Sequence, residues 1–142
     1  MASQNSETDE TLHQAGVVPY RRTPREVEFC LITSTERRWI FPKGTVKAGK
    51  NYWKTAIREA LEEAGLRGRL LCRPLGSYEM VKDEKLYNLV LFLFEVTRCD
   101  EAWEEADFRR RRWATQDEAR QLLCQPLADC LDIAVARING CN

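Results

Sequence analysis

The sequence predicts an α/β fold in which a mixed central β-sheet carries helices on both faces. Strand-like segments fill the first two thirds of the chain with one helix between them, and two helical segments close it. The stretch LYNLVLFLFEV, 86–96, is almost continuously apolar, as expected of a strand at the centre of a covered sheet. With 142 residues, 44% of them hydrophobic, the chain is expected to form one domain.

The segments follow one another with clear boundaries. Strands are predicted at 15–20 and 27–33, and the turn at Pro24 makes them a hairpin. A short apolar stretch, 39–41, precedes an irregular loop, 42–50, that contains Gly and Lys. Asn51 is a suitable N-cap for a helix that ends at Ala64, with Gly65 as its stop. Further strands are expected at 66–75, 76–81, 86–96 and 111–114, and helices at 116–123 and 127–138.

Composition excludes several function classes. Residues 1–12 are polar and acidic and are predicted to be a disordered tail, which leaves 13–142 as the folded domain. No apolar run reaches transmembrane length and no secretory signal is visible, so we expect a cytoplasmic protein without a membrane partner. Lys plus Arg and Asp plus Glu each number 22, a balance that argues against a nucleic-acid partner. Six cysteines without a CxxC pair, and one histidine, His13, argue against a zinc site.

The helix at 51–65 carries a cluster of glutamates. At about 100° per residue, Glu59, Glu62 and Glu63 share a sector about 100° wide. We expect them to project away from the sheet, on the far side from an apolar sector made of Trp53, Ala56, Ile57, Ala60, Leu61 and Ala64. Three carboxylates this close repel unless a cation lies among them, and hard oxygen ligands suit Mg²⁺. A solvated acidic face balanced by Arg58 is the alternative.

The residues around this helix favour the metal site. The segment GTVKAGKNYWKTAIREALEEAGL, 44–66, resembles the signature of the Nudix hydrolases, G-x5-E-x7-R-E-U-x-E-E-x-G-U. The matching fixed positions are Gly44, Arg58, Glu59, Glu62, Glu63, Gly65 and Leu66. The resemblance implies a Nudix-type α/β/α sandwich and a pyrophosphohydrolase. Such an enzyme would cleave phosphoanhydride bonds with Mg²⁺, for which Mn²⁺ can substitute.

The same resemblance implies roles for individual residues. The implied metal ligands are Glu59, Glu63, Glu62, the Lys43 carbonyl and the Gly44 backbone. The implied catalytic groups are Glu59, Glu62 as the candidate base or second metal ligand, and Arg58, which would orient the glutamates by hydrogen bonding; which glutamate acts as the base varies within the family. One motif position departs from the family, because Lys50 stands where a glutamate is usual. Lys50 would repel Arg58, so we expect an altered loop geometry with the metal ligands kept, although a binding-only member stays open.

Further stretches resemble one branch of the family. The segments RRWIFPKG, 37–44, and DFRRRRWATQDEARQLL, 107–123, are similar to diphosphoinositol polyphosphate and diadenosine polyphosphate phosphohydrolases. Arginine and lysine bind phosphate oxygens, so Arg38, Lys43 and Arg109 are predicted to bind a small-molecule polyphosphate substrate.

The substrate stays open within that branch. Leu12, His13 and Gln14 occupy the place where the inositol-specific enzymes carry basic residues, which weakens the inositol interpretation. A nucleotide would need a stacking ring, for which Tyr20, Tyr78 and Tyr87 are the candidates. Glu104 or Glu105 could add a carboxylate from outside the motif. An RNA 5′-end pyrophosphohydrolase is a further alternative, suggested by the arginines at 109–112, and the chain could act as a monomer or a homodimer.

Overall fold

The structure is a computed structural model that describes residues 11–140. Seven strands and three helices make up this part of the chain. In chain order they are β1 (Thr11–Arg22), β2 (Val27–Thr33), β3 (Trp39–Ile40), β4 (Lys43–Thr45), α1 (Tyr52–Ala64), β5 (Leu66–Lys82), β6 (Lys85–Cys99), β7 (Arg111–Thr115), α2 (Gln116–Leu122) and α3 (Gln125–Gly140).

All seven strands belong to one mixed sheet. Its main order is β3-β2-β1-β6-β5, while β4 pairs with β1 and β7 pairs with β2. The pairing of β1 with β6 is parallel, and the other pairings are antiparallel. The predicted fold class is therefore confirmed. The predicted β1–β2 hairpin is also present, and β6 lies between β1 and β5, as its apolar sequence predicted.

Several strands differ from their predicted bounds. The strand expected at 15–20 begins at Thr11, so Thr11 and Leu12 of the predicted tail pair with β6, and the rest of that tail lies outside the described residues. The two strands expected at 66–75 and 76–81 are one strand, with a shift in pairing between Leu71 and Gly76. An irregularity of this kind breaks the alternation of the sequence without ending the strand, which is why two strands were predicted.

The sheet is covered on both faces. On one face, the alanines of α1 pack against Ala15 and Val17 of β1. On the other, residues of α2 and α3 pack against Val18 and Tyr20 of the same strand. This side-to-side alternation along β1 is what a strand with two covered faces requires.

Local capping sets the ends of α1. The Asn51 side chain accepts hydrogen bonds from the backbone N–H groups of Trp53 and Lys54, as predicted for an N-cap. Gly65 has φ of 66°, the left-handed conformation that favours glycine, and its N–H donates to the Leu61 carbonyl. No helix within 11–140 is long and apolar enough to cross a membrane. Four cysteines are free thiols: Cys30, Cys99, Cys124 and Cys130.

Candidate metal and phosphate site

The orientation of α1 differs from the prediction. Glu63 is buried, with 6% of its surface exposed, whereas Trp53 is 46% exposed and Ile57 is at the surface. The prediction that all three glutamates project away from the sheet is therefore wrong for Glu63. Glu63 follows Ala56 by seven residues, which at about 100° each leaves the two side chains only about 20° apart. The acidic sector thus borders the buried alanines directly.

Glu59 and Glu63 meet beside β4. The Lys43 N–H donates to Glu63 Oε1 at 3.1 Å, so the start of β4 lies against this carboxylate. A Cβ on Gly44 would stand 2.2 Å from Glu59 Cδ, which means that only glycine leaves room for the Glu59 carboxylate there. The Glu59 and Glu63 carboxyls are also close enough to share a hydrogen bond.

Burial and crowding alter the acidity of this pair. Burial raises the pKa of Glu63 to about 8, against the opposing charge of Arg109 and the Lys43 N–H. Burial likewise raises the pKa of Glu59, and the neighbouring Glu62 adds to the effect. Without a cation, the two carboxyls cannot both be ionised at low cost.

A second group of carboxylates adjoins the first. Oxygens of Glu62, Glu104 and Glu105 lie within 4.8 Å of one another. The Glu105 N–H donates to the Glu62 carbonyl at 3.1 Å, which fixes the loop before β7 against the end of α1. The two groups together form an oxygen-only donor set of high negative charge. Such a set fits a hard divalent cation.

Arg109 contacts carboxylates of both groups. The sequence predicted that it binds substrate phosphate, whereas in this structure its partners are groups of the protein itself. Its Nη2 lies 3.3 Å from Glu63 Oε2, and its Nε donates to Glu105 Oε1 at 2.6 Å. Its Nη1 donates to the Thr33 carbonyl at 2.7 Å. The side chain is only 11% exposed, so Arg109 neutralises the protein's own carboxylates within this structure.

Two residues that sequence reasoning missed hold the C-terminus of α1. Trp103 Nε1 donates to the Glu63 carbonyl at 2.9 Å, and Arg111 Nη1 donates to the Ala64 carbonyl at 2.6 Å. The Arg111 guanidinium lies over the Trp103 ring, 4.0 Å from its centre. Donors at the last carbonyls of a helix replace bonds that the helix cannot form. An aromatic residue inside an acidic stretch, AWEEAD, was the available signal.

The remaining motif residues lie nearer the surface. Arg58 is half exposed, with Nη2 3.6 Å from Glu59 Oε2 and Nε 3.7 Å from Glu62 Oε2. These are ion pairs longer than hydrogen bonds. Lys50 is exposed, and its N–H donates to the Lys47 carbonyl.

A cleft of mixed charge lies beside Lys43, and we call it the Lys43 cleft. Its volume is about 350 Å³, and its charged lining residues are Arg38, Lys43, Lys82, Glu36 and Asp83, with Tyr87 among the others. Burial lowers the pKa of Lys43, while Glu63 nearby opposes the shift. Of the three tyrosines predicted as candidates for stacking, Tyr87 lines this cleft. Tyr20 is buried in the hydrophobic core, and Tyr78 packs against that core.

Comparison with known proteins identifies the family. The NUDIX domain model matches residues 12–132. Nudix hydrolase 12, mitochondrial, from Arabidopsis thaliana is 36% identical over 123 residues, which cover 80% of this chain and 59% of that protein. Diphosphoinositol polyphosphate phosphohydrolase 3-beta from Bos taurus is 34% identical over 106 residues, covering 72% of this chain and 63% of that protein. The chain thus spans about three fifths of the length of such relatives.

Solved structures agree on the fold. The C. elegans Ap4A hydrolase, in a binary complex, superposes with a TM-score of 0.79 at 22% identity, over 91% of this chain and 98% of that one. The predicted fold is confirmed by this likeness, and the two relatives described above are named as hydrolases. Because a single family model spans most of the sequence, the chain belongs to the Nudix family.

Proposed function

We propose that the protein is a divalent-metal-dependent pyrophosphohydrolase that cleaves a phosphoanhydride bond in a highly phosphorylated small molecule. The observation that carries the proposal is the convergence of Glu59 and Glu63 beside Gly44, with Glu62 and Glu105 next to them. Mg²⁺ suits this oxygen donor set, and Mn²⁺ is an acceptable substitute. The substrate is a diadenosine polyphosphate or a diphosphoinositol polyphosphate, the classes named among the similar proteins.

Each carboxylate has a role in this proposal. Glu59, Glu63 and Glu62 would hold the ion, with the Lys43 carbonyl and the Gly44 backbone beside them. When bound, it supplies a water of lowered pKa and offsets charge on the leaving phosphate. Glu62, the most exposed of the three glutamates, would accept the proton of the attacking water. The water oxygen then bonds to the attacked phosphorus, and the bond from this phosphorus to the bridging oxygen breaks.

Basic side chains hold the rest of the substrate. Arg38 and Lys43 line the Lys43 cleft and face incoming phosphates there. The Lys43 backbone also adjoins the carboxylates, because its N–H donates to Glu63. Arg109 contacts the other oxygen of Glu63, so it is placed to bind a phosphate once the ion takes over the glutamates. Arg58 orients Glu59 and Glu62. We also propose that the protein is cytoplasmic and has neither nucleic-acid nor membrane partners.

The test is a substrate panel with matched variants. The full chain is incubated with Mg²⁺ and diadenosine tetraphosphate, inositol pyrophosphates or nucleotide sugars, and released phosphates are quantified. Glu59→Gln and Glu63→Gln should each lower turnover at least about a hundredfold and weaken Mn²⁺ binding. Glu101→Gln removes an exposed carboxylate that belongs to neither group of site carboxylates, and it should change neither turnover nor Mn²⁺ binding. If no compound in the panel is hydrolysed, the proposal of an enzyme is refuted. If the Glu63 variant binds Mn²⁺ as tightly as the wild type, the metal assignment is refuted.

A further inference from the structure

The carboxyl end of α1 is held by one other segment of the chain. An α-helix leaves the carbonyls of its last turn without partners inside the helix. At the end of α1 the Leu61 carbonyl accepts from the Gly65 N–H, whereas the next four carbonyls, 62–65, accept from donors outside the helix. All four donors lie within residues 100–111, which connect β6 to the first residue of β7.

Each of the four carbonyls has a donor of its own. The bonds are Glu105 N–H to the Glu62 carbonyl at 3.1 Å, Trp103 Nε1 to the Glu63 carbonyl at 2.9 Å, Arg111 Nη1 to the Ala64 carbonyl at 2.6 Å, and Asp100 N–H to the Gly65 carbonyl at 2.8 Å. Two of these donors are backbone groups, which almost any residue would supply. The other two are the side chains of Trp103 and Arg111, so the sequence determines whether those bonds form.

Trp103 and Arg111 pack against the end of α1 as a pair. The Arg111 guanidinium lies 4.0 Å from the centre of the Trp103 ring, and both residues are half-buried. A Cβ on Gly65 would stand 2.8 Å from Trp103 Cβ and 3.0 Å from Arg111 Nη1, so this glycine leaves the space that the pair occupies. The Arg111 charge also lies where a helix carries partial negative charge.

The last turn of α1 is the part of the helix that most needs fixing. Helix ends fray, and Glu62 and Glu63 both lie within that turn, whereas Glu59 lies one turn further in. Groups that hold an ion have to stay within about 0.5 Å of their working positions. A bond to the Glu63 carbonyl restrains the backbone of a residue whose side chain is already held by the Lys43 N–H.

We propose that Trp103 and Arg111 are positioning residues for the carboxylates at the end of α1. By bonding the Glu63 and Ala64 carbonyls, they keep the last turn helical in the metal-free protein and so fix Glu62 and Glu63 before an ion binds. They act through the backbone and contact neither the ion nor the substrate. The consequence for metal binding rests on the proposed function, in which these glutamates hold the ion, whereas the ordering of the turn does not.

The first measurement is amide hydrogen exchange of the full chain in EDTA. Trp103→Phe keeps a ring beside Arg111 and removes the donor to Glu63. Exchange at amides 62–65 should become at least about fivefold faster, while amides 56–59 should change less than about twofold. Trp53→Phe is the matched control, because Trp53 is exposed near the start of α1 and its ring N–H donates no hydrogen bond within residues 11–140.

The second measurement is the Mn²⁺ affinity of the substrate-free chain. Groups that orient metal ligands typically change metal affinity by about tenfold to a hundredfold when they are replaced. Trp103 and Arg111 bond backbone carbonyls, so we expect the lower end, about tenfold weaker Mn²⁺ binding in Trp103→Phe and in Arg111→Met. Arg112→Met is the control for the second variant and should bind Mn²⁺ normally, because Arg112 is exposed and forms no ion pair in the described part of the chain.

Asn51→Ala separates positioning from a general loss of stability. It removes the N-cap at the opposite end of the same helix, which should lower the melting temperature in EDTA by roughly 4 °C. Mn²⁺ affinity should nevertheless stay within about twofold of the wild type. If Asn51→Ala weakens Mn²⁺ binding as much as Trp103→Phe does, loss of helix stability explains both results and the positioning role is overturned.

Different results separate the positioning role from the proposed function. Wild-type Mn²⁺ affinity in Trp103→Phe and Arg111→Met overturns the positioning role, while weak Mn²⁺ binding in Glu63→Gln keeps the metal assignment. Unchanged exchange at 62–65 in Trp103→Phe also overturns it. If Glu63→Gln binds Mn²⁺ as tightly as the wild type, the metal assignment fails, whereas faster exchange at 62–65 in Trp103→Phe still supports the ordering of the last turn.

Discussion

Replacing Arg109 with glutamine should destabilise the metal-free protein. The change removes a buried guanidinium that contacts Glu63, Glu105 and the Thr33 carbonyl. Breaking a buried ion pair costs about 3–5 kcal/mol when the remaining charge has no partner. The cost at Glu63 is smaller, because with its pKa raised to about 8 this carboxyl is largely protonated at neutral pH even beside Arg109. We therefore expect the lower end, about 3 kcal/mol, or a melting temperature lower by roughly 10 °C for a chain of this size.

The same replacement should strengthen metal binding. At an effective dielectric constant near 20, a positive charge beside a bound divalent cation costs several kcal/mol, and solvent screens part of it. Loss of the Arg109 contacts also leaves the carboxylates less ordered, which offsets part of this gain in metal affinity. We therefore expect Mn²⁺ to bind Arg109→Gln about tenfold more tightly, which is about 1.4 kcal/mol. Mn²⁺ should accordingly raise the melting temperature more in the variant than in the wild type.

The assay needs thermal melts in EDTA and in Mn²⁺, together with Mn²⁺ titrations of the substrate-free protein. Arg110→Gln is the control, since Arg110 carries the same charge on the next residue, is exposed and forms no ion pair within 11–140. It should melt within about 2 °C of the wild type. If Arg109→Gln melts in EDTA at the same temperature as Arg110→Gln, the reasoning is refuted. Weaker Mn²⁺ binding refutes it as well, because Arg109 would then organise the ligands instead of competing with the ion.

Three further predictions concern the same helix and loop. Folding raises the pKa of Glu63, so the stabilisation that this carboxyl contributes is complete below about pH 4.5 and is lost as the pH rises through about 8. The melting temperature of the metal-free protein should therefore fall over that pH range. In Glu63→Gln the melting temperature should depend less on pH. Gly44→Ala should weaken Mn²⁺ binding and turnover at least about tenfold through its clash with Glu59, whereas Gly49→Ala, where φ is 76° but space is open, should cost only about 1 kcal/mol of stability. Lys50→Glu restores the usual motif residue, so turnover should rise or stay level, and a sharp loss would contradict our view of that loop.

Local sequence signals predicted both ends of α1 correctly. Asn51 and Gly65 act through side chains and backbone angles that involve only their own neighbours, so the sequence around them sufficed. The pairing of Arg109 with Glu63 joins residues far apart in the chain, and it depends on where the loop before β7 crosses the end of α1. No local pattern encodes that crossing.

Small residues, more than the acidic ones, bring the carboxylates to the sheet. A Cβ on Gly16 of β1 would stand 2.2 Å from the Pro42 carbonyl, so this glycine lets the segment leading into β4 approach β1 closely. Ala56 and Ala60 are fully buried on the side of α1 that packs on the sheet, which lets the helix axis lie close to the strands. Gly44 then leaves the space that Glu59 fills. A wider side chain at any of these positions would lift the glutamates from β4, so the spacing of Gly and Ala carries as much of the site as the glutamates themselves.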